Sequence, residues 1–284
     1  DEGLEPGAEH RYRVTVTDSA GNQAVSEWVN TTVATSSTLS DYAAGVLADE
    51  PTSFWRLGED EGTTVFDWAA FDDAEARAGV SRGVTGAILE DENTASAFSG
   101  SSDGYAASEA LQTGPNTFSI EAWFQTTTTS GGKIVGFGNS RDGNSNSYDR
   151  HVYMDDSGRI WFGVYPGGVR TINSSQSYND GDWHHVVATL SGDGMRLFVD
   201  GESVAERADV TSAQGYNGHW RIGGDNLNGW TSRPSSDYFA GAIDDLAIYP
   251  AALSDSAVAN HFAHAHGEGE IPNVGPEAVF ESAV

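Results

Sequence analysis

Residues 182–207 read DWHHVVATLSGDGMRLFVDGESVAER, and this stretch decides the fold. Positions 186–190 (VVATL) are apolar with two adjacent valines, the composition of a strand buried on both faces. Ser191, Gly192, Asp193 and Gly194 follow, a run that tolerates the positive φ of a tight reversal. Positions 195–199 (MRLFV) form a second strand, and Asp200-Gly201 turns the chain into a third over 203–207. Two turn signals this close together, set between apolar runs, predict an antiparallel meander with Val187, Leu197 and Val199 in the core.

The order Trp183, His184, His185, strand, turn and Val199-Asp200-Gly201 resembles the signature hairpin of laminin G-like, concanavalin A-like jelly rolls. The likeness continues at Trp55-Arg56-Leu57-Gly58-Glu59, at Thr64 to Asp67, at the turn around Phe98 to Tyr105, and in the strand Phe118 to Phe124. It implies an all-β fold over residues 41–266: an antiparallel two-sheet jelly-roll sandwich. Two short helices are expected at its ends, one before Pro51 and one after Pro250 with Ser254 as N-cap.

The flanks resemble other modules. Residues 1–34 alternate Tyr12, Val14 and Val16 with polar positions, then turn at Asp18 to Asn22, like the closing strands of a fibronectin type III module. Two strands cannot bury a core alone, so the segment is expected to be the end of a truncated module. Residues 35–40 (TSSTLS) are a polar linker, and 271–284 resemble the opening of a PKD-type module. The expected setting is a secreted or cell-surface multimodular bacterial protein, with this chain a monomeric module in it.

Composition narrows the partners. The chain carries 42 acidic against 14 basic residues, a net charge of −28. That disfavours a phosphate backbone or an anionic lipid surface, so neither nucleic acid nor membrane insertion is expected. There are no cysteines, hence no disulfide framework and no thiolate chemistry. Carboxylates remain available for a hard cation.

No catalytic motif stands out. Jelly-roll glycanases place paired carboxylates along one strand, whereas Glu121 is alone in its strand. Asp244 and Asp245 are adjacent, so regular alternation would send them to opposite faces. His184 and His185 are neighbours in a strand and read as structural; His261, His264 and His266 read as surface residues of the closing helix. The chain is therefore expected to be a non-catalytic binding module and not an enzyme, the alternatives being an architectural spacer module of a secreted enzyme and a jelly-roll glycoside hydrolase.

A structural calcium is the metal to expect. Pairing Trp55 with Ile248 in the closing strands would set Glu59 opposite Asp244. With Asp67 and the Gly58 carbonyl, that gives a hard oxygen set, and the resemblance implies an ion at this edge. For a ligand, sugar recognition needs aromatic faces ringed by planar hydrogen-bonding groups. The polar loop 139–150 offers Tyr148, Asp149 and Arg150. The loop 225–230 offers Asp225, Asn226, Asn228 and Trp230, and Tyr165 and Arg170 flank the turn between. The expected ligand residues are Tyr165, Arg170, Arg150, Asp225, Asn226 and Trp230, with a glycan or another extracellular ligand as partner.

Overall fold

The central meander forms as its sequence predicts. In the computed structural model, which describes residues 9–13, 15–17, 21–32 and 39–268, strands Trp183–Ser191, Gly194–Val199 and Glu202–Arg207 pair antiparallel in succession. The second turn has Asp200 at φ 53° and Gly201 at φ 80°. Positive φ at both central residues is the mirror-image turn whose twist matches its flanking strands. Val187, Leu197 and Val199 are 0, 0 and 2% exposed.

The chain divides into two units, Asp1–Leu39 and Ser40–Val284. In the first, Glu9–Tyr12 pairs with Val29–Thr32 and Thr15–Thr17 with Gln23–Val25. The resemblance of 271–284 to a PKD-type opening falls outside the described residues.

The second unit holds two antiparallel sheets. In the first sheet the order is Arg170–Ser177, Arg159–Val164, Tyr148–Met154, Gly132–Gly138, Asn217–Ile222, Ala106–Ser108, Ala74–Ala76 and Thr64–Val65, with Gln112–Thr113 also on Asn217–Ile222. In the second it is Glu202–Arg207, Gly194–Val199, Trp183–Ser191, Phe118–Gln125, Ala240–Tyr249, Thr94–Ser99 and Val80–Thr85, and Ser53–Trp55 also pairs with Ala240–Tyr249. Alternate side chains point to opposite faces of a strand. One face of each sheet therefore fills the interior with Phe118, Phe162, Leu197, Trp220 and Ile243.

The other face of the second sheet is also apolar, with Trp123, Val187, Phe198 and Tyr249. It is covered by helices Asp41–Ala48 and Asp255–Ala265 through Tyr42, Val46 and Val258. Each helix has a serine N-cap: Ser40 accepts from the Ala43 N–H, and Ser254, as expected, from the Ala257 N–H. The outer face of the first sheet carries a smaller cluster of Tyr153, Trp161, Leu227 and Trp230. That patch positions the candidate site.

Candidate ligand-binding site

Tyr148 opens one strand of the first sheet, Tyr165 follows the next, and the turn after Tyr165 leads into a third. Three neighbouring strand ends thus meet at one corner of the sheet. The loop after Asn217–Ile222 crosses the same outer face and lays Trp230 on it. Gly163 makes that seat possible, because a Cβ there would lie 2.4 Å from Cζ3 of Trp230. The indole also meets the buried His151 ring edge-on, with centroids 4.4 Å apart.

Between these pieces lies a cavity of about 560 Å³ whose lining includes Asn146, Tyr148, Tyr165, Gln214, Asn228 and Trp230. Tyr165 is 37% exposed, whereas Trp230, at 5%, shows only an edge and serves as part of the wall. Tyr148 donates to the Asn228 carbonyl at 3.0 Å. Burial, with Asp225 and Asp237 nearby, raises its hydroxyl pKa, which keeps it a neutral donor. The wall is therefore aromatic surface with amides and hydroxyls. No carboxylate is among the residues that line it.

Two of the charged residues expected to touch ligand, Arg150 and Asp225, lie underneath instead. Arg150 is fully buried. Its guanidinium pairs with Asp149 and donates to the carbonyls of Pro115 at 2.9 Å and Gln214 at 3.0 Å. Asp149 Oδ2 in turn accepts the N–H of Tyr165 at 3.1 Å and of Gln214 at 2.8 Å. Arg150 and Asp149 thus hold two walls of the cavity from below, and the expectation of Arg150 as a ligand contact is corrected: a sealed guanidinium cannot reach one.

Asp225 is likewise buried, 3.6 Å from Lys133 Nζ, and its Oδ1 accepts the Ser145 N–H at 2.8 Å. Burial pushes the Asp225 carboxyl pKa up, but Lys133 and Arg221 outweigh this and hold it below the usual range. Burial also lowers Lys133 to about 8, against the pull of Asp225. Asn226 donates from Nδ2 to the Ser145 carbonyl at 3.0 Å and accepts the Asn228 N–H at 2.9 Å. Asp225 and Asn226 therefore brace the loops that carry Asn146 and Asn228 and are not among the residues that line the cavity. Arg170 is exposed beside the rim, donating to the Val169 carbonyl at 2.9 Å.

Asn146 and Gln214 escape a reading of the sequence. Each stands in a polar loop with no local pattern to set it apart; Gln214 is placed by its backbone bonds to Asp149 and Arg150, and Asn146 by its N–H, which donates to Asn139 Oδ1 at 2.9 Å.

The expected calcium residues do not converge. Trp55 pairs with Leu246, not Ile248, so the closing strands are offset by two residues and Glu59 does not oppose Asp244. Glu59 accepts the Phe66 N–H at 2.8 Å and pairs with Arg82 at 3.2 Å. Asp67 accepts the N–H groups of Phe54, Ala69 and Asp72 at 2.8, 3.0 and 3.1 Å. Asp244 accepts from Ala87 at 2.8 Å and Asn93 at 3.3 Å. All six carboxylate oxygens accept from protein donors, each side chain at its own partners, so the three do not make one oxygen set around an ion. Among the described residues no cluster of three or more His, Cys, Asp or Glu side chains could hold a metal.

Two further expectations change. The register slips between Glu121 and Trp123, with Asp245 at φ 44°. Ile243 and Leu246 then both face the interior, which leaves Asp244 and Asp245 on the same, helix-covered side. Burial raises both carboxyl pKa values; for Asp244 the charge of Asp245 adds to it, while Arg56, 2.7 Å from Asp245, opposes the rise there.

His261 and His264 are 3 and 6% exposed, not surface residues. Glu121, fully buried, accepts from Tyr42 at 3.0 Å and Tyr249 at 2.6 Å, and meets His185 at 2.8 Å and His261 at 3.1 Å. This closed network ties both helices to the second sheet.

The fold and the cavity together define a β-sandwich of the lectin-like type with a groove on one outer sheet face. The chain belongs to the concanavalin A-like lectin/glucanases superfamily, whose family profile matches residues 99–259, more than half its length. No curated protein matches it in sequence. Among solved structures, the binding domain of Paraclostridial Mosquitocidal Protein 1 is similar at 14% identity and TM-score 0.56, over 76% of this chain and 52% of that one. The Botulinum neurotoxin serotype G binding domain is similar at 12% identity and TM-score 0.54, over 75% of this chain and 50% of that one. Trypanosoma rangeli sialidase, in complex with 2,3-difluorosialic acid, is similar at 16% and 0.54, over 75% and 32%. The chain thus spans about half or less of each of these structures, and the likeness is one of fold.

Proposed function

We propose that this chain is a carbohydrate-binding module of a secreted or cell-surface protein, acting by recognition and not by catalysis. The observation that carries the reading is the cavity at the corner of the first sheet, walled by Tyr148, Tyr165 and Trp230 and ringed by the amides of Asn146, Gln214 and Asn228. Pyranose rings present apolar faces and hydroxylated edges, and an aromatic wall with planar amide groups matches both. Its volume of about 560 Å³ falls within the roughly 300–1,000 Å³ of small-molecule sites.

Two similar structures are toxin binding domains, which favours recognition. The absence of carboxylates from the lining favours it over hydrolysis. Among the described residues no helix is long and apolar enough to cross a membrane.

The test is a glycan array followed by calorimetric titration of wild type and Tyr165→Ala. Tyr165 is part-exposed, so its truncation should leave the melting temperature unchanged and weaken binding by about tenfold or more, the equivalent of about 1.4 kcal/mol. Binding that ignores Tyr165 would place the ligand elsewhere, and no binding to any glycan would favour a purely architectural module.

A further inference from the structure

We infer that the cavity selects neutral saccharides and rejects acidic ones, a conclusion that rests on the carbohydrate reading above. Sialic and uronic acids carry a carboxylate, which on leaving water requires a charged or multiply donating partner. The side chains that line the cavity are all uncharged. The cations nearest in the fold are already committed to protein partners. Lys133, Arg150 and Arg221 are fully buried, the first facing Asp225 at 3.6 Å, the second paired with Asp149 and the third 3.9 Å from Asp225. Arg233 is held by Asp237 at 2.9 Å. Arg170 and Arg233 stand beside the rim: the Arg170 guanidinium folds back onto the carbonyl of Val169, and Arg233, besides its pair with Asp237, lies 3.5 Å from Oδ1 of Asn228.

An acidic sugar seated here would therefore exchange its water for neutral hydrogen bonds alone. A neutral sugar makes the same bonds without that loss. The net charge of −28 acts in the same direction. At physiological ionic strength, where the Debye length is about 8 Å, it is largely screened, so the lining decides; at low salt the repulsion adds to the discrimination.

The experiment uses the full chain on an array of neutral oligosaccharides printed beside their sialic-acid-capped and uronic-acid counterparts, at low and at physiological salt. Wild type, Tyr165→Ala and Arg170→Ala are compared. The expected result is that neutral glycans bind and their acidic counterparts bind at least about tenfold more weakly. The gap should widen at low salt, Tyr165→Ala should lose binding, and Arg170→Ala should behave as wild type. A preference for acidic glycans that fades with salt and disappears in Arg170→Ala or in Arg233→Ala, made alongside it, overturns the neutral assignment while leaving the carbohydrate reading standing. Failure to bind any glycan overturns both.

Discussion

Glu121 is the residue whose change should be felt most widely. It lies at the centre of the second sheet, fully buried, and links Tyr42 of one helix, His261 of the other, and His185 and Tyr249 of the sheet. Burial alone would lower the pKa of His261, but Glu121 and Asp49 raise it from 6.5 to about 10. Burial would likewise raise the carboxyl of Glu121, yet His261 and His185 hold it well below 4.5.

At about 1.36 kcal/mol per pH unit, a histidine moved from 6.5 to about 10 corresponds to a stabilisation on the order of 5 kcal/mol. Removing one partner of a buried ion pair costs about 3–5 kcal/mol, which agrees. Glu121→Gln keeps the shape and removes the charge. It should cost about 3–5 kcal/mol in urea denaturation followed by tryptophan fluorescence, or roughly 6–20 °C in Tm for a domain of this size.

The pH dependence gives a second readout. Because the folded pKa of His261 is raised, its contribution is complete below pH 6.5 and is lost as pH climbs through about 10. Because that of Glu121 is depressed, its contribution is present above pH 4.5 and is lost as pH falls further. Wild type should therefore be most stable between about pH 4.5 and 6.5 and weaken steadily on the alkaline side, whereas Glu121→Gln should show a flattened alkaline limb. A loss below about 1 kcal/mol together with an unchanged alkaline limb would refute the ion-pair account and leave a network of neutral hydrogen bonds.

Three other changes test separate parts of the fold. Leu197→Ala, in the interior between the sheets, should cost about 2–5 kcal/mol by chemical denaturation, and a loss below about 1 would make that strand peripheral. Gly163→Ala should drive its new methyl into Trp230, costing about 1–3 kcal/mol and altering the near-ultraviolet circular dichroism of the indole; a silent substitution would show that the loop moves aside freely. Melting temperature should be the same in calcium and in chelator, because Glu59, Asp67 and Asp244 do not converge and no cluster of three or more His, Cys, Asp or Glu side chains that could hold a metal stands among the described residues; a rise with calcium would refute this.

The fold was legible where short-range pattern carries it. The stretch 182–207 has its apolar runs and Asp-Gly turn within a few residues of one another, and strand alternation and turn chemistry act at that range. Ser254 as N-cap was legible for the same reason, since its partner is the N–H of Ala257, three residues on. The place of the cavity was partly legible too: Tyr165 and Trp230 stand out as large aromatics among glycines. What the sequence could not decide was which polar side chains face solvent and which brace the interior.

Arg150 and Arg170 look alike in a polar loop. Arg150 is sealed because Pro115 and Gln214, 35 and 64 residues away, bring carbonyls to it, while no comparable partners enclose Arg170. His261 and His264 have the spacing of a surface helix, but Glu121, 140 residues before His261, draws that helix face inward. A two-residue change of register parts Glu59 from Asp244, and a single bulge at Asp245 brings two carboxyls to one face. These outcomes depend on which distant strands become neighbours and in what register. A buried charge is tolerated only where that assembly supplies its partner, so tertiary structure alone decides it.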